Sequence, residues 1–187
     1  MNSLKHAPIK SALLGLSLAV ALLASNACAD DANAAFSVTV GAGHAGGNIM
    51  AKAKNGDSVE IIGGGQMNAG AETASLNGSY VIRNTAGNET ASGNWHATKF
   101  LSWEPTQACT GGFLGFVSGT ARFKVELDGI GEAHLSVTCA GCETPMGTDA
   151  VTLHIKQGQN FKESVNNELP SPGLFGDGRY MNLFFRL

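Results

Sequence analysis

The feature that most constrains the fold is an alternation of apolar and charged side chains with a period of two. It is clearest at 121–127, where Ala, Phe, Val and Leu alternate with Arg, Lys and Glu before the pair Asp128-Gly129. A period of two places alternate side chains on opposite faces of a β-strand, and Asp-Gly is typical of a turn. We therefore predict a strand over 121–127 with one buried and one solvated face.

The same alternation predicts two more strands in the second half of the chain. In 132–139 the residues Leu135, Val137 and Cys139 face inward and His134 faces outward. In 151–155 the apolar residues again alternate with polar ones, and His154 is on the polar side. The two segments are close enough along the chain to pair as a hairpin, which would make His134 and His154 cross-strand neighbours.

Other strands are less regular. The last segment is predicted to turn Met181, Leu183 and Phe185 inward and Asn182 outward, with Phe184 breaking the alternation. Further candidate strands are 36–40, 48–53, 58–62, 79–83 and 94–103. Turns are predicted between them at 55–57, 77–78, 86–88 and 92–93, and a flexible glycine-rich turn region is predicted at 63–70.

These strands predict an all-β fold. No segment keeps a 3.6-residue period over a dozen positions, so no long amphipathic helix is expected. Two or three strands alone are unstable, and we therefore expect an antiparallel β-sandwich or a partly closed barrel. Trp95 and Trp103 share one parity of 94–103, and large aromatics in this position indicate core more than a ligand platform.

The first 29 residues have the pattern of a cleavable signal peptide. Lys5 and Lys10 precede the uncharged apolar run at 11–24, and Ala27-Cys28-Ala29 forms a small-x-small cleavage site. A membrane-spanning helix would need about 20 apolar residues. We therefore predict one domain over 30–187, secreted or periplasmic, with no transmembrane span. Lipoprotein anchoring through Cys28 is the weaker alternative, because Ser25 stands where a lipobox has a Leu-like residue.

After cleavage the chain has ten Lys and Arg residues against fifteen Asp and Glu residues. This acidic balance argues against a nucleic-acid partner, which needs clustered Lys and Arg. The expected partner is therefore an extracytoplasmic protein, a glycan or a small molecule.

Three cysteines follow the signal. Exported domains oxidise their thiols, so we favour a structural disulfide from Cys109 to Cys139 or Cys142. The alternative is a redox or metal role for the motif Cys139-Ala-Gly-Cys142. A redox pair of this kind normally lies at a helix N-terminus, whereas a strand precedes this one.

Copper or zinc would use the ligands that the chain groups in its second half. Thiolate, thioether and imidazole suit these metals, and the candidates are Cys139, Cys142, Met146, His134 and His154. No second close pair of Cys or His completes a zinc motif, and Cys139 is predicted to face away from His134. The leading interpretation therefore has no cofactor.

Enzyme motifs are weak. Gly41–Gly46 fits the pattern G-x-G-x-x-G, but neither a long helix nor a suitably placed acid follows it, so it does not predict a dinucleotide site. Neither G-x-S-x-G nor H-E-x-x-H is present. The sequence thus favours an exported, non-enzymatic binding or structural module. The alternative is a periplasmic metal-binding or thiol-redox protein using the CAGC motif, and a hydrolase assembled across loops ranks third.

Overall fold

A computed structural model describes residues 30–42, 49–109, 114–140, 149–156, 158–162 and 181–187. In these ranges the chain forms one antiparallel sheet of ten strands, and only Asp30 and Asp31 are helical. The all-β prediction is confirmed. The strands are β1 Ala35–Ala42, β2 Ile49–Ala53, β3 Ser58–Asn68, β4 Thr73–Arg83, β5 Glu89–Ala108, β6 Val117–Leu127, β7 Gly131–Cys139, β8 Ala150–Ile155, β9 Asn160–Lys162 and β10 Met181–Arg186.

Strand β3 has three neighbours. The strand order is β10-β1-β3-β2-β9-β8-β7-β6-β5-β4, and β3 also pairs with β4. One edge of β3 is shared, because β2 pairs with 58–61 and β1 pairs with 63–68. The other edge pairs with β4 along its whole length. Successive pairings therefore lead from β3 through β2, β9, β8, β7, β6, β5 and β4 and end at β3 again.

The inward-facing side chains form a continuous apolar core that includes both tryptophans. Trp95 and Trp103 are 1% and 9% exposed, as the core interpretation predicted. The Trp103 ring centre lies 5.0 Å from that of Phe36 and 4.5 Å from that of Phe184. The Trp103 Nε1–H also donates to the main-chain oxygen of Asp31 at 2.9 Å. This contact ties the start of the described chain to the middle of β5.

Two predicted turns, and residues 63–68 of the predicted turn region 63–70, lie inside strands instead. Gly63 and Gly78 are paired across β3 and β4, and Ser92-Gly93 lies within β5. A Cβ atom on Gly78 would lie 1.9 Å from the Ile62 oxygen and 2.6 Å from Trp95 Nε1. The Trp95 indole thus occupies the space above the two glycines, and its Nε1–H donates to that same oxygen at 2.9 Å. These glycines make room for a neighbouring ring, whereas the predicted turns at 55–57 and 86–88 are confirmed.

The facing of two segments was also predicted wrongly. In β10 the buried residues are Asn182 and Phe184, whereas Phe185 is 42% exposed. In β5, simple alternation predicts that Leu101 faces inward with Trp95 and Trp103. The pairing with β6 shifts at three bulges, so Phe100 is buried and Leu101 is 41% exposed. A bulge adds a residue to one strand and reverses the parity beyond it, which simple alternation does not anticipate. The predicted signal peptide, Cys28 and most of the glycine motif at 41–46 lie outside the described residues.

Candidate functional site

The predicted hairpin brings His134 and His154 together. They lie directly opposite each other on β7 and β8, both side chains are exposed, and their ring centres are 6.2 Å apart. This cross-strand contact follows from the alternation of apolar and polar side chains in β7 and β8 and from the pairing of these two strands. The other predicted metal or redox candidates, Cys142 and Met146, lie outside the described residues.

Cys139 is on the opposite side of the sheet from His134. It ends β7 with a buried thiol that is 4% exposed, so it cannot share a metal ion with the histidine pair. A reactive thiolate normally lies in a partly exposed, electropositive place, and the end of a buried strand face does not provide one. Within the described ranges no disulfide joins Cys139 to Cys109, the other cysteine there. Cys139 is therefore not the partner of Cys109.

The histidines belong to a polar surface formed by the outward-facing side chains of strands β5, β6, β7, β8, β9 and β2, which we call the outer face. Strand register aligns its side chains in rows that cross the strands. The histidine row consists of Lys99, Lys124, His134, His154 and Asn160. The adjacent row consists of Ser102, Arg122, Ser136, Thr152, Lys162 and Lys52.

The outer face carries most of the Lys and Arg residues that the structure describes. Six of the nine Lys and Arg residues in the described part of the chain lie on it, namely Lys52, Lys99, Arg122, Lys124, Lys156 and Lys162. Of the eleven Asp and Glu residues in the described ranges, four do, namely Glu89, Glu104, Glu126 and Glu132. These cations are scattered along the sequence and are gathered by strand pairing. A chain that is acidic in total therefore presents a basic surface.

Part of this charge is neutralised within the face. Arg122 pairs with Glu104 and also donates to the Ser102 hydroxyl at 3.1 Å. Glu132 pairs with Lys124 and, at 3.2 Å, with Lys156. Hydrogen bonds from these two ammonium groups hold the pKa of Glu132 below its ordinary value. The cations at the centre of the face are thus oriented by acids.

The cations toward the ends of the rows differ from the central ones in their ion pairing. Lys52, Lys99 and Lys162 have no ion-pair partner among the described side chains. Lys52 lies directly opposite Lys162, and Lys99 lies directly opposite Lys124. Like charges in directly opposite positions destabilise a sheet. The repulsion would be relieved by an anion bound across the rows.

A second polar group is buried inside the fold, and sequence reasoning missed it. Asn182 is fully buried, and its side chain accepts from the Gly41 N–H at 3.1 Å and donates to the carbonyls of Thr138 and Ala150 at 2.9 and 3.0 Å. Its main-chain N–H donates to Asp149 Oδ2 at 2.8 Å. The two side chains tie the ends of β1, β7, β8 and β10 together. The only signal in the sequence was one amide among the apolar residues at 181–185.

Asp149 has an unusual ionisation within this group. Burial raises its pKa to about 6, although the N–H groups of Ala140 and Asn182 both favour the carboxylate. Ala140 N–H donates to Oδ1 at 2.9 Å, so both carboxylate oxygens are used in holding strand ends. Because its hydrogen bonds hold strand ends together, this group belongs to the structure of the sheet.

Within the described ranges no three His, Cys, Asp or Glu side chains lie close enough together to hold a metal ion. No helix in the described part of the chain is long and apolar enough to cross a membrane. Comparison of the chain with protein-family models, with curated protein sequences and with solved structures finds no match.

Proposed function

We propose that this chain is an exported, non-enzymatic binding module that holds an anionic polysaccharide on its outer face. The observation that carries the proposal is the gathering of six cations on one side of an acidic chain, with lysines facing each other across the strands. The signal-like first 29 residues support export. The pairing of β3 with β4 supports a partly closed barrel as the scaffold.

The spacing of the face suits an extended polymer. Neighbouring strands lie about 4.8 Å apart, so Arg122 on β6 and Lys162 on β9 are separated by about 14 Å. Between them Ser136 and Thr152 present hydroxyl groups in the same row. A chain of sugar rings lying across the strands would meet cations at both ends and hydrogen-bonding groups between them.

The surface chemistry favours an acidic glycan over a single-stranded nucleic acid. Proteins that hold single strands stack the bases on aromatic rings. Trp95 and Trp103 are buried, and the described outer face exposes no Phe, Tyr or Trp side chain. Carboxylated sugars need cations and hydrogen-bond donors, which this face provides.

The test is polymer binding by the purified protein at low and moderate salt. Polygalacturonate should bind, neutral dextran should not, and added salt should weaken the binding because the contacts are ionic. Lys162→Glu should weaken binding about tenfold, which corresponds to about 1.4 kcal/mol. Lys54→Glu is the matched control, because it makes the same change of charge at an exposed residue in the turn after β2.

Three results would overturn the proposal. One is equal retention of polygalacturonate and dextran, and another is equal weakening by the two charge reversals. The third is stronger binding to duplex DNA than to any acidic glycan, which would assign the outer face to nucleic acid.

Intact-mass spectrometry of the exported protein tests the compartment and the cysteines. We expect a chain that begins at Asp30, with one disulfide from Cys109 to Cys142. Cys139 should react with an alkylating agent only after unfolding, because it is buried. Retention of residues 1–29, or two thiols at 139 and 142 that react in the folded protein, would contradict the proposal.

A further inference from the structure

We infer that His134 and His154 together chelate a divalent transition-metal ion, with copper(II) as the favoured metal. Both imidazoles are exposed on one face of a hairpin, directly opposite each other. This site uses two described residues and does not depend on polysaccharide binding.

The distance between the rings fits a shared ion. An imidazole nitrogen binds such a metal at about 2.0–2.1 Å. The centres of two rings on one ion therefore lie at most about 6.5 Å apart, with smaller values for bent arrangements. The observed 6.2 Å is within this limit, so side-chain rotation alone can bring both nitrogens to one ion. The paired backbone keeps the second imidazole near the first, as a chelate requires.

The charges around the pair are arranged so that a cation can approach. Lys124 lies opposite His134 in the register, but its ammonium group is paired with Glu132. Lys156 is paired with the other oxygen of the same carboxylate, at 3.2 Å. Glu132 thus offsets part of the positive charge on both sides of the hairpin. Asn160, in register with His154, adds an exposed amide beside the pair.

Copper(II) is favoured by the ligand set. Two neutral imidazoles with the remaining positions open to water suit copper(II), which also binds most tightly among the divalent first-row metals. Cys139 is excluded from the site because its thiol is buried on the other side of the sheet. The histidine site is therefore separate from the CAGC motif.

The experiment is a copper(II) titration of the purified protein, followed by calorimetry and by electron paramagnetic resonance. We expect one site with two nitrogen ligands in the spectrum. His134→Asn and His154→Asn should each weaken binding about tenfold or more, because a single imidazole loses the chelate advantage. His96→Asn is the matched control, because His96 is exposed on the same face but lies opposite Glu126.

Amide NMR of the unaltered protein gives a readout that needs no variant. Substoichiometric copper(II) should broaden the signals of residues around 134 and 154 before any others. The inference is overturned if broadening is centred elsewhere, or if His96→Asn weakens binding as much as the two pair variants do. Unchanged affinity in either pair variant would overturn it as well.

Discussion

Replacing Asn182 with alanine should remove a large part of the stability of this fold. The side chain is fully buried and makes three hydrogen bonds, to Gly41, Thr138 and Ala150. The alanine variant would leave one N–H and two carbonyl groups without these partners. Each buried orphan costs about 1–3 kcal/mol, so a total loss of about 4 kcal/mol is expected. Domains of this kind have a total stability of about 5–15 kcal/mol.

Urea unfolding followed by tryptophan fluorescence measures this loss. Trp103 is a suitable reporter, because its ring centre lies 4.5 Å from that of Phe184, two residues after Asn182. The control is Asn160→Ala, which removes an exposed amide from β9 and should change stability by less than about 0.5 kcal/mol. A loss below about 1 kcal/mol for Asn182→Ala would refute the view that the hydrogen bonds of this side chain stabilise the fold by connecting the ends of four strands.

Three further predictions follow from buried contacts. Asp149 should titrate near pH 6 by carboxyl carbon NMR, and a midpoint near 4 would contradict this. Because folding raises its pKa, its contribution to stability is full below about pH 3.8 and falls as the pH rises through 6. The fall should be at most about 3 kcal/mol. Gly78→Ala should cost at least about 1–3 kcal/mol in urea unfolding, because the new methyl group meets the Trp95 indole and a strand carbonyl, whereas the exposed control Asn77→Ala should be nearly neutral. Tyr80→Phe should cost about 1 kcal/mol in the same assay, because the buried hydroxyl donates at 2.5 Å to a main-chain carbonyl in the β6–β7 turn; an unchanged unfolding midpoint would contradict it.

The histidine pair was predictable because it depends on local geometry and one hairpin. Alternation put His134 and His154 on the polar sides of two segments that are close in sequence, and short connections favour antiparallel pairing. The opposite facing of Cys139 followed from the same period of two. The signal peptide and the disulfide between Cys109 and Cys142 stay predictions, since residues 1–29 and Cys142 lie outside the described ranges.

The glycines were misread because their meaning depends on what packs against them. Gly63 and Gly78 have the composition of turns, yet they lie in the middle of paired strands. The reason is Trp95, whose indole fills the space that side chains would otherwise take. Nothing near either glycine in the sequence identifies a ring that approaches from another strand.

The chain by itself determined the period of the strands, their apolar faces and the hairpin that joins the histidines, because these depend on backbone geometry between near neighbours. Only the tertiary structure decided that Asn182 faces inward, since its three side-chain partners come from β1, the end of β7 and the start of β8. It also decided where the charge lies. Lysines as far apart as Lys52 and Lys162 meet because β2 pairs with β9, and pairing between distant segments is not encoded in the local pattern of either one.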